Sequence, residues 1–481
     1  MSEASATASR SSRTYDVVVL GGGPGGYGVA LRAAVRGLNV AMVEADKVGG
    51  TCLHWGCIPS KAMLHVGSVL DEAREADRFG IDLTVAGLDV AKLGAFRESV
   101  QTQLYKGLEG LVKSRKIDLV TGWGTVGADG RSVTVSGGER DGEVLQADNV
   151  VIAVGSSVRS LPGIEIDGDV VITSDEATKL ARVPQKALVI GSGAVGLEFA
   201  SLFKSLGAEE VVVVEALDRI APLEDEDLSK SLARAYRKRG ITTIAGTVAS
   251  SVTVSEGPKG KAATVSLANG DAHVVDTVLV AVGRAPRTAD IGLDTLGVLD
   301  ERGYVVADEY GRTAVDGVWA VGDILPPPAL ALAHAGFAEG FNVADQIAGH
   351  TVVPVDYAQV PRVTYCTPEV SSVGLTEAQA VDRYGKDAVS SAKYTFKGNA
   401  KGIIHQSDGF VKVVSGGPDG EVLGVHIIGP HATDLIAEAQ LITAWGALPE
   451  EVGALVHPHP TLAEAMGEAH MAAAGIPFHT H

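Results

Sequence analysis

Two of the chain's three cysteines, Cys52 and Cys57, stand five positions apart, in a setting that favours thiol chemistry. Five positions of an ideal helix rise by about 7.5 Å, which exceeds the usual Cα separation across a disulfide, so the intervening turn must be distorted if the two sulfurs are to bond. Gly56 eases that distortion, and Pro59 suits the first turn of a helix that continues through Lys61. Because a helix N-terminus and a lysine cation both favour thiolate, we expect the pKa of Cys57 to be lowered.

The alternative for this cysteine pair is a structural disulfide or two inert core thiols. A structural bridge requires an oxidising compartment, and the first residues lack the apolar core of a secretory signal. We therefore predict a reducible, redox-active pair in a cytoplasmic protein.

The elements that would position this pair begin with a strand, a glycine-rich turn and a helix. An apolar run at residues 15–20 precedes the turn, a helix-like segment follows at residues 27–36, and a second strand at residues 39–43 ends in Glu44. In this context the glycines predict a dinucleotide site: one makes the turn, one admits a pyrophosphate to the helix N-terminus, and one allows close packing on the sheet. These glycines are Gly21, Gly23 and Gly26. Glu44 is expected to bond a ribose hydroxyl, whereas a purely structural glycine turn is the alternative.

The same unit returns later in the chain, between a strand at residues 187–190 and a strand at residues 211–214 that ends in Glu215. Its fingerprint glycines are Gly191, Gly193 and Gly196. A carboxylate at Glu215 accepts a hydrogen bond from a free ribose 2′-hydroxyl and repels a 2′-phosphate, so NAD is favoured over NADP. Arg219, four residues further on, leaves NADP open as the alternative.

Three further apolar runs end in glycine or acid, and we expect them to complete these sheets. Residues 150–155 and 278–284 would close the first and second sheet, and residues 317–323 end in Asp323. An acid at the carboxyl end of a strand is well placed to bond a polyhydroxyl cofactor chain, and a turn-capping aspartate is the alternative.

From about residue 357 the pattern changes to alternating segments followed by a helical one, which indicates an antiparallel sheet with helices. Near its end stand His457, Pro458, His459 and Glu464. Histidine is the side chain best suited to move a proton near neutral pH, and a nearby carboxylate can hold its tautomer. A rigid surface turn between prolines is the alternative.

Composition and charge limit the classes of protein to which the chain can belong. The 481 residues, with 59 glycines and only 5% aromatics, are typical of a soluble α/β protein of about three domains. A net charge of −19 without a basic run argues against a nucleic-acid partner, and no apolar stretch reaches the length of about 18 residues expected of a membrane span. Cys366 has no cysteine or metal-ligand partner at a telling spacing, so we expect a buried bystander and no metal site.

The predicted fold class is α/β, with two Rossmann-like dinucleotide-binding domains and a C-terminal α+β domain. The predicted segments are a mobile tail at 1–13, a first dinucleotide-binding domain in two parts at 14–160 and 286–356, a second at 161–285, and the C-terminal domain at 357–481.

Together these features resemble the flavoprotein disulfide reductases, and within them the branch that oxidises dihydrolipoamide. The family's redox motif, Gly-Gly-x-Cys-x4-Cys-Ile-Pro-Ser-Lys, is present at residues 49–61, and its terminal motif, His-x-His-Pro-Thr-x-x-Glu, at residues 457–464. By that resemblance FAD occupies the first fingerprint, and the further residues implied to bind it are Glu44, Lys61, Gly124, Asp323 and Ala333. NAD occupies the second fingerprint, and the further residues implied to bind it are Glu198, Glu215, Val248 and Gly283. Lys61 is also implied to pair with Glu198. The resemblance further makes 14–160 and 286–356 the FAD-binding domain, 161–285 the NAD-binding domain and 357–481 an α+β dimerisation domain.

The resemblance further implies a mechanism and a set of partners. His459, oriented by Glu464, deprotonates dihydrolipoamide across a homodimer interface, and the resulting thiolate attacks Cys52 while Cys57 lies nearer the flavin. The substrate is carried by the lipoyl-bearing acyltransferase of 2-oxo acid dehydrogenase complexes or by the lipoyl carrier of glycine cleavage. The alternatives are a sister reductase for other disulfides or mercuric ion, and a non-catalytic scaffold subunit.

Overall fold

The structure is a computed structural model that describes residues 13–257 and 260–479. The predicted mobile tail at 1–13 lies outside the described residues, except for Arg13, which begins the first strand. The described chain divides into two compact units. The first combines the residues up to Pro59 with Phe96–Val158 and Arg284–Tyr357, and the second combines Ser60–Ala95, Arg159–Gly283 and the residues from Ala358 onward.

The first unit is built on a seven-stranded sheet. Its strands are, in spatial order, Asp118–Thr121, Val40–Glu44, Arg13–Leu20, Val144–Ile152, Ser132–Ser136 and Trp123–Val126, and Val318–Ala320 pairs with Val144–Ile152. The pairs from Asp118–Thr121 to Val144–Ile152 are parallel, as is the pairing with Val318–Ala320, whereas Ser132–Ser136 and Trp123–Val126 are antiparallel. Two short strands, Ser156–Val158 and Arg284–Pro286, form a separate antiparallel pair. The helices are Pro24–Val35, Gly50–His54, Val90–Ser114 and Ala333–Ile347.

The alternation of side chains along the first strand explains why this sheet is covered on both sides. Val17 and Val19 pack against Val29 of the helix Pro24–Val35. Val18 points to the opposite face, where it joins a cluster that includes Val133. Residues 17–20 of the strand are therefore apolar on both faces, as the apolar run in the sequence predicted.

The second unit contains a parallel sheet and a larger antiparallel part. The parallel strands are, in spatial order, Ile241–Ala245, Glu210–Glu215, Lys186–Ile190, Thr277–Val280 and Val171–Ile172. A three-stranded antiparallel sheet follows, with strands Ala249–Gly257, Gly260–Leu267 and Ala272–Val275. The helices of this part are Cys57–Arg74, which begins at the end of the first unit, Ser174–Ala177, Ala194–Leu206 and Glu226–Lys238.

The C-terminal part of the second unit is an antiparallel five-stranded sheet with helices. Its strands are, in spatial order, Arg362–Thr364, Glu369–Gly374, Glu421–Gly429, Phe410–Gly416 and Val389–Thr395. Its helices are Glu377–Tyr384, Ala400–Ile404, Ala432–Ala444, Pro449–Gly453 and Glu464–Ala473. Two parallel nucleotide-type sheets and one antiparallel α+β part confirm the predicted fold class.

The structure corrects one predicted element. Residues 278–284 were expected to form a single closing strand, but the strand Thr277–Val280 ends first and Arg284–Pro286 pairs elsewhere. The left-handed backbone of Gly283 separates the two strands, with φ +100°. None of the described helices is both long enough and apolar enough to cross a membrane.

A buried lysine ties the antiparallel sheet to a helix of the nucleotide-type part within the second unit. Lys412 is 2% exposed, and its Nζ lies 2.8 Å from Asp225, 2.7 Å from Asp227 and 2.7 Å from Glu377. Asp225 also caps the helix Glu226–Lys238 by accepting the Asp227 N–H. Although burial opposes it, the lysine holds the pKa of both aspartates below their ordinary values.

We expect Lys412→Met to lower the free energy of unfolding by about 3–5 kcal/mol, because it leaves Asp225 buried without its cation. Denaturant unfolding at neutral pH measures this loss. The matched control is Lys393→Met, which removes an exposed lysine 3.2 Å from Asp227 and should cost less than about 1 kcal/mol. Since the folded pKa values of the aspartates lie below 3.8, the stabilisation is present above that pH and is lost as the pH falls through the folded values. Equal losses in the two variants would contradict this account.

Candidate functional site

The first glycine turn has the geometry of a nucleotide-binding turn. Gly21 adopts a left-handed backbone with φ +104°, and a Cβ there would overlap the carbonyl oxygen of Ala153. A Cβ at Gly26 would overlap the Gly21 carbonyl, so the helix packs directly on the turn. Gly23 is the N-cap of the helix Pro24–Val35 and makes no side-chain cap, so the first N–H groups of the helix are open to an anionic ligand.

Glu44 is held at this turn by the backbone. Its Oε2 accepts the Gly22 N–H at 2.7 Å and its Oε1 accepts the Asp46 N–H at 2.8 Å. The carboxylate borders a mostly apolar cleft at the carboxyl ends of two parallel strands, and the cleft is also lined by Leu20, Gly124, Val154, Arg287 and Ile291. A Cβ at Gly124 would overlap the Leu20 side chain, so only glycine keeps the cleft open there. A flat apolar cleft with one fixed carboxylate fits the adenosine end of a dinucleotide.

Asp323 lies just beyond the strand Val318–Ala320, and its carboxylate is held by a side chain of the same unit. It accepts the hydroxyl of Ser156, and Ser156 in turn accepts the Arg284 Nε–H at 2.7 Å. Ala333 begins the helix Ala333–Ile347, whose N-cap also makes no side-chain bond. Asp323 and Ala333 therefore belong to the same unit as the first fingerprint, at a strand end and at a helix start.

The cysteine segment docks on the first glycine turn. The Gly49 N–H donates to the Gly22 carbonyl at 2.7 Å, and a Cβ at Gly50 would lie 2.6 Å from the Gly23 Cα. Gly49 and Gly50 both have left-handed backbones, with φ +111° and +54°. The two glycines before Cys52 thus permit a direct contact between the redox segment and the nucleotide turn.

The two cysteines lie on consecutive helices, and the break between them together with the helix that starts at Cys57 agrees with the distorted turn and helix N-terminus predicted from the sequence. Cys52 is within Gly50–His54, the helix breaks at Trp55, and Cys57 begins the helix Cys57–Arg74. Both cysteines are half-buried. Burial, followed by the two cysteine sulfurs, raises the pKa of Tyr27 to about 12, which marks this hydroxyl as a neighbour of the pair.

Lys61 and Glu198 form the expected pair in the second unit. The Lys61 Nζ lies 3.0 and 2.8 Å from the two carboxylate oxygens of Glu198. Glu198 is buried and also accepts the Tyr365 N–H at 3.0 Å. The Tyr365 ring covers the ammonium, whose nitrogen lies 4.7 Å from the ring centroid.

The second glycine turn repeats the first. Gly191 is left-handed, with φ +100°, and a Cβ at Gly196 would overlap the Gly191 carbonyl. Gly193 is the N-cap of the helix Ala194–Leu206. Glu215 is buried and accepts three bonds, from the Ser192 N–H at 2.8 Å, the Ser192 hydroxyl at 2.7 Å and the Leu217 N–H at 2.9 Å. The same device therefore fixes a carboxylate at each turn.

Arg219 is the side chain that kept NADP as an alternative cofactor in the sequence analysis, and it bonds to backbone carbonyls. Arg219 donates to the carbonyls of Pro222 and Glu224, at 3.1 and 3.4 Å. Val248 and Gly283, the other residues implied for NAD, follow strands of the same parallel sheet, Ile241–Ala245 and Thr277–Val280. They therefore lie toward the carboxyl edge of the sheet that carries the second fingerprint.

His459 and Glu464 form a tight pair at the surface of the second unit. The His459 Nδ1 lies 2.6 Å from the Glu464 Oε1, and the imidazole is 76% exposed. Glu464 begins the helix Glu464–Ala473 and accepts the Thr461 N–H at 2.8 Å. Burial raises the pKa of Glu464, but the Thr461 N–H and the His459 ring outweigh it and hold the pKa below its ordinary value. Because a carboxylate only accepts, Nδ1 is the donor in this pair, and Nε2 is the ring nitrogen that Glu464 does not engage.

Several supporting residues were not identified from the sequence. They are Gly22, Tyr27, Ser156, Ser192, Tyr365 and Asn399, the last of which bonds the Thr461 carbonyl at 2.9 Å. Most are ordinary residues whose partners are distant in the chain, so spacing gave no signal. Gly22 and Ser192 are the exceptions, because each stands inside one of the two glycine patterns. Cys366 is buried as predicted, and burial raises its pKa to about 12.

The fold and these sites define a dithiol oxidoreductase built on two dinucleotide-binding domains. Residues 15–340 match the family described as pyridine nucleotide-disulphide oxidoreductase, and residues 360–470 match the dimerisation domain of the same family, which supports a homodimer. The chain belongs to the pyridine nucleotide-disulphide oxidoreductase family, which confirms the resemblance found in the sequence.

Relatives match along nearly the whole chain. A dihydrolipoyl dehydrogenase from Bacillus subtilis is 39% identical over 97% of this chain and 99% of its own length. One from Corynebacterium glutamicum is 38% identical over 95% of this chain and 97% of its own length. A leghemoglobin reductase from Vigna unguiculata is 39% identical over 97% of this chain and 88% of its own length. Among solved structures, LpdA from Mycobacterium tuberculosis has a TM-score of 0.87 and 26% identity, covering 96% of this chain and 99% of LpdA.

We expect Gly26→Ala to reduce flavin binding about 5- to 150-fold, because the new methyl group displaces the Gly21 carbonyl from the turn. Flavin titration of the apoprotein measures the change. Gly107→Ala is the matched control, since it lies in the helix Val90–Ser114 and its Cβ meets no atom within 4 Å. Equal flavin affinity in the two variants would show that the first turn does not cradle the cofactor.

Proposed function

We propose that this chain acts as a dihydrolipoyl dehydrogenase, which oxidises protein-bound dihydrolipoamide to lipoamide and reduces NAD through a Cys52–Cys57 disulfide and FAD. The observation that carries the proposal is the docking of the cysteine segment on the first nucleotide turn through Gly49 and Gly22. The full-length relatives named dihydrolipoyl dehydrogenase support the choice of substrate.

The chain holds two nucleotides, FAD and NAD. The residues that bind FAD are Gly21, Gly23, Gly26, Glu44, Lys61, Gly124, Asp323 and Ala333. The residues that bind NAD are Gly191, Gly193, Gly196, Glu198, Glu215, Val248 and Gly283. When bound, FAD supplies the two-electron chemistry that links the dithiol to NAD. Glu215 selects NAD because its carboxylate, fixed by three donors, repels a 2′-phosphate.

Proton transfer begins the thiol half of the reaction. The Nε2 atom of His459 removes a proton from one thiol of dihydrolipoamide, and Glu464 stabilises the resulting imidazolium. The substrate thiolate attacks the Cys52 sulfur, the Cys52–Cys57 bond breaks, and Cys57 leaves as a thiolate at the N-terminus of an 18-residue helix. The second substrate thiol then attacks the first substrate sulfur, which releases lipoamide and leaves Cys52 reduced. The chain has gained two electrons at the cysteine pair, and NAD is their final acceptor.

The domain assignment follows from these roles. Residues 14–160 and 286–356 bind FAD, residues 161–285 bind NAD, and residues 357–481 form the dimerisation domain. In the homodimer, His459 of each chain acts on the cysteine pair of the other subunit. The lipoyl group arrives on the acyltransferase of a 2-oxo acid dehydrogenase complex or on the lipoyl carrier of glycine cleavage. These proposed partners, and the reducible cysteine pair, support a cytoplasmic location.

A comparison of two substrate pairs tests the proposal. The holoenzyme is expected to oxidise dihydrolipoamide with NAD far faster than it reduces glutathione disulfide with NADPH. Cys52→Ser should abolish lipoamide formation because it removes the attacked sulfur, and Cys366→Ala is the matched control that keeps turnover. Preference for glutathione disulfide with NADPH, or normal turnover in Cys52→Ser, would overturn the assignment.

A further inference from the structure

His457 opens the terminal motif, yet the proposed chemistry does not use it. Its side chain is only 12% exposed, whereas that of His459, two residues later, is 76% exposed. The two histidines therefore occupy opposite environments on one short loop. Their hydrogen-bond partners differ as well.

The hydrogen-bond partner of His457 is the Glu438 carboxylate. The His457 Nε2 lies 2.7 Å from the Glu438 Oε1, and because a carboxylate only accepts, Nε2 is the donor. The Glu438 bond raises the pKa of His457 although burial opposes it, which favours the protonated ring. The Nε2 atom of His457 is therefore engaged within the chain and does not face a substrate.

The His457 ring packs closely against the helix Glu464–Ala473. Gly467 faces the ring, and a Cβ there would lie 2.8 Å from the His457 Nδ1. His470 lies on the same helix, Glu464–Ala473, and its Nδ1 donates to the Met466 carbonyl at 2.7 Å. Burial lowers the pKa of His470 to about 4, so its ring is neutral.

The charge on His457 also acts on the carboxylate that orients His459. After the Thr461 N–H and the His459 ring, the nearby charge of His457 helps to keep the pKa of Glu464 low. The loop is thus anchored at its start by Glu438 and at Thr461 by Asn399.

We propose that His457 is a positioning residue for proton transfer by His459: its buried ring, clamped to Glu438 through Nε2, fixes the start of the loop that carries His459 and supports Glu464, which orients that histidine. This inference rests on the proposed function, because it assigns His457 a task only if His459 is the base. Glu438 is the second member of the clamp. Neither residue contacts the reacting sulfurs in this scheme.

The first test compares His457→Gln, Glu438→Gln and the double variant as FAD-loaded enzymes. Each single change should lower dihydrolipoamide oxidation roughly 10- to 100-fold, because the loop that aims the base loses its anchor. The double variant should be no slower than the worse single variant, since the two residues act as one clamp. NADH oxidation by ferricyanide should stay unchanged, because that reaction needs no thiol deprotonation. His431→Asn is the control, since it removes an exposed imidazole from a left-handed position that asparagine tolerates.

The second test is the pH profile of kcat/KM for dihydrolipoamide. The titratable and charged groups that face His457 are Glu438, Glu464 and His470. Removing the cation in His457→Gln makes His459 easier to protonate, so the acidic limb should move to higher pH. A purely structural loss would lower the profile without moving that limb.

Normal turnover in His457→Gln, losses that multiply in the double variant, or an unmoved acidic limb would overturn the inference. If His457→Gln does not bind FAD, Glu438→Gln decides, and normal turnover in that variant also overturns it. Failure of the proposed function is distinguishable. In that case the wild-type enzyme itself does not oxidise dihydrolipoamide, or His459→Gln oxidises it normally.

Discussion

The hydrogen bond from the Gly49 N–H to the Gly22 carbonyl, 2.7 Å long, fixes the cysteine segment against the first nucleotide turn. This contact exists only because Gly50 lies where a side chain would strike Gly23. The nucleotide turn and the cysteine segment serve different functions, but both depend on this close contact between Gly23 and Gly50. A side chain at Gly50 would push the cysteine segment away from the nucleotide turn, even if the rest of the site stayed intact.

Fixed carboxylates are the second recurring device. Glu44 and Glu215 each end a parallel strand and each accept the N–H of the residue that follows the first glycine of the turn, Gly22 and Ser192. Glu464 is fixed in the same way by the Thr461 N–H. Backbone donors orient these carboxylates before any ligand arrives, so the free energy of ligand binding is not spent on ordering them.

Local patterns made much of this structure predictable from the sequence. Both glycine turns follow from a strand, a glycine spacing and a helix that are contiguous in the chain, and the helix break between Cys52 and Cys57 follows from Gly56 and Pro59. The parts that were missed depend on distant partners. Ser156 supports Asp323 across 167 positions of sequence, and the clamp on the loop residue His457 requires Glu438 from the helix Ala432–Ala444. The break near Gly283 depends on a backbone conformation that its apolar neighbours do not signal.

The most direct test of the central claim, that Cys52 and Cys57 carry the electrons between the thiol substrate and the nucleotides, is anaerobic alkylation of the native holoenzyme with and without NADH. Peptide mapping by mass spectrometry then identifies the labelled cysteines. We predict that Cys52 is alkylated only after NADH is added, and that buried Cys366 stays unlabelled in both samples. Equal labelling of Cys52 with and without NADH would contradict the account.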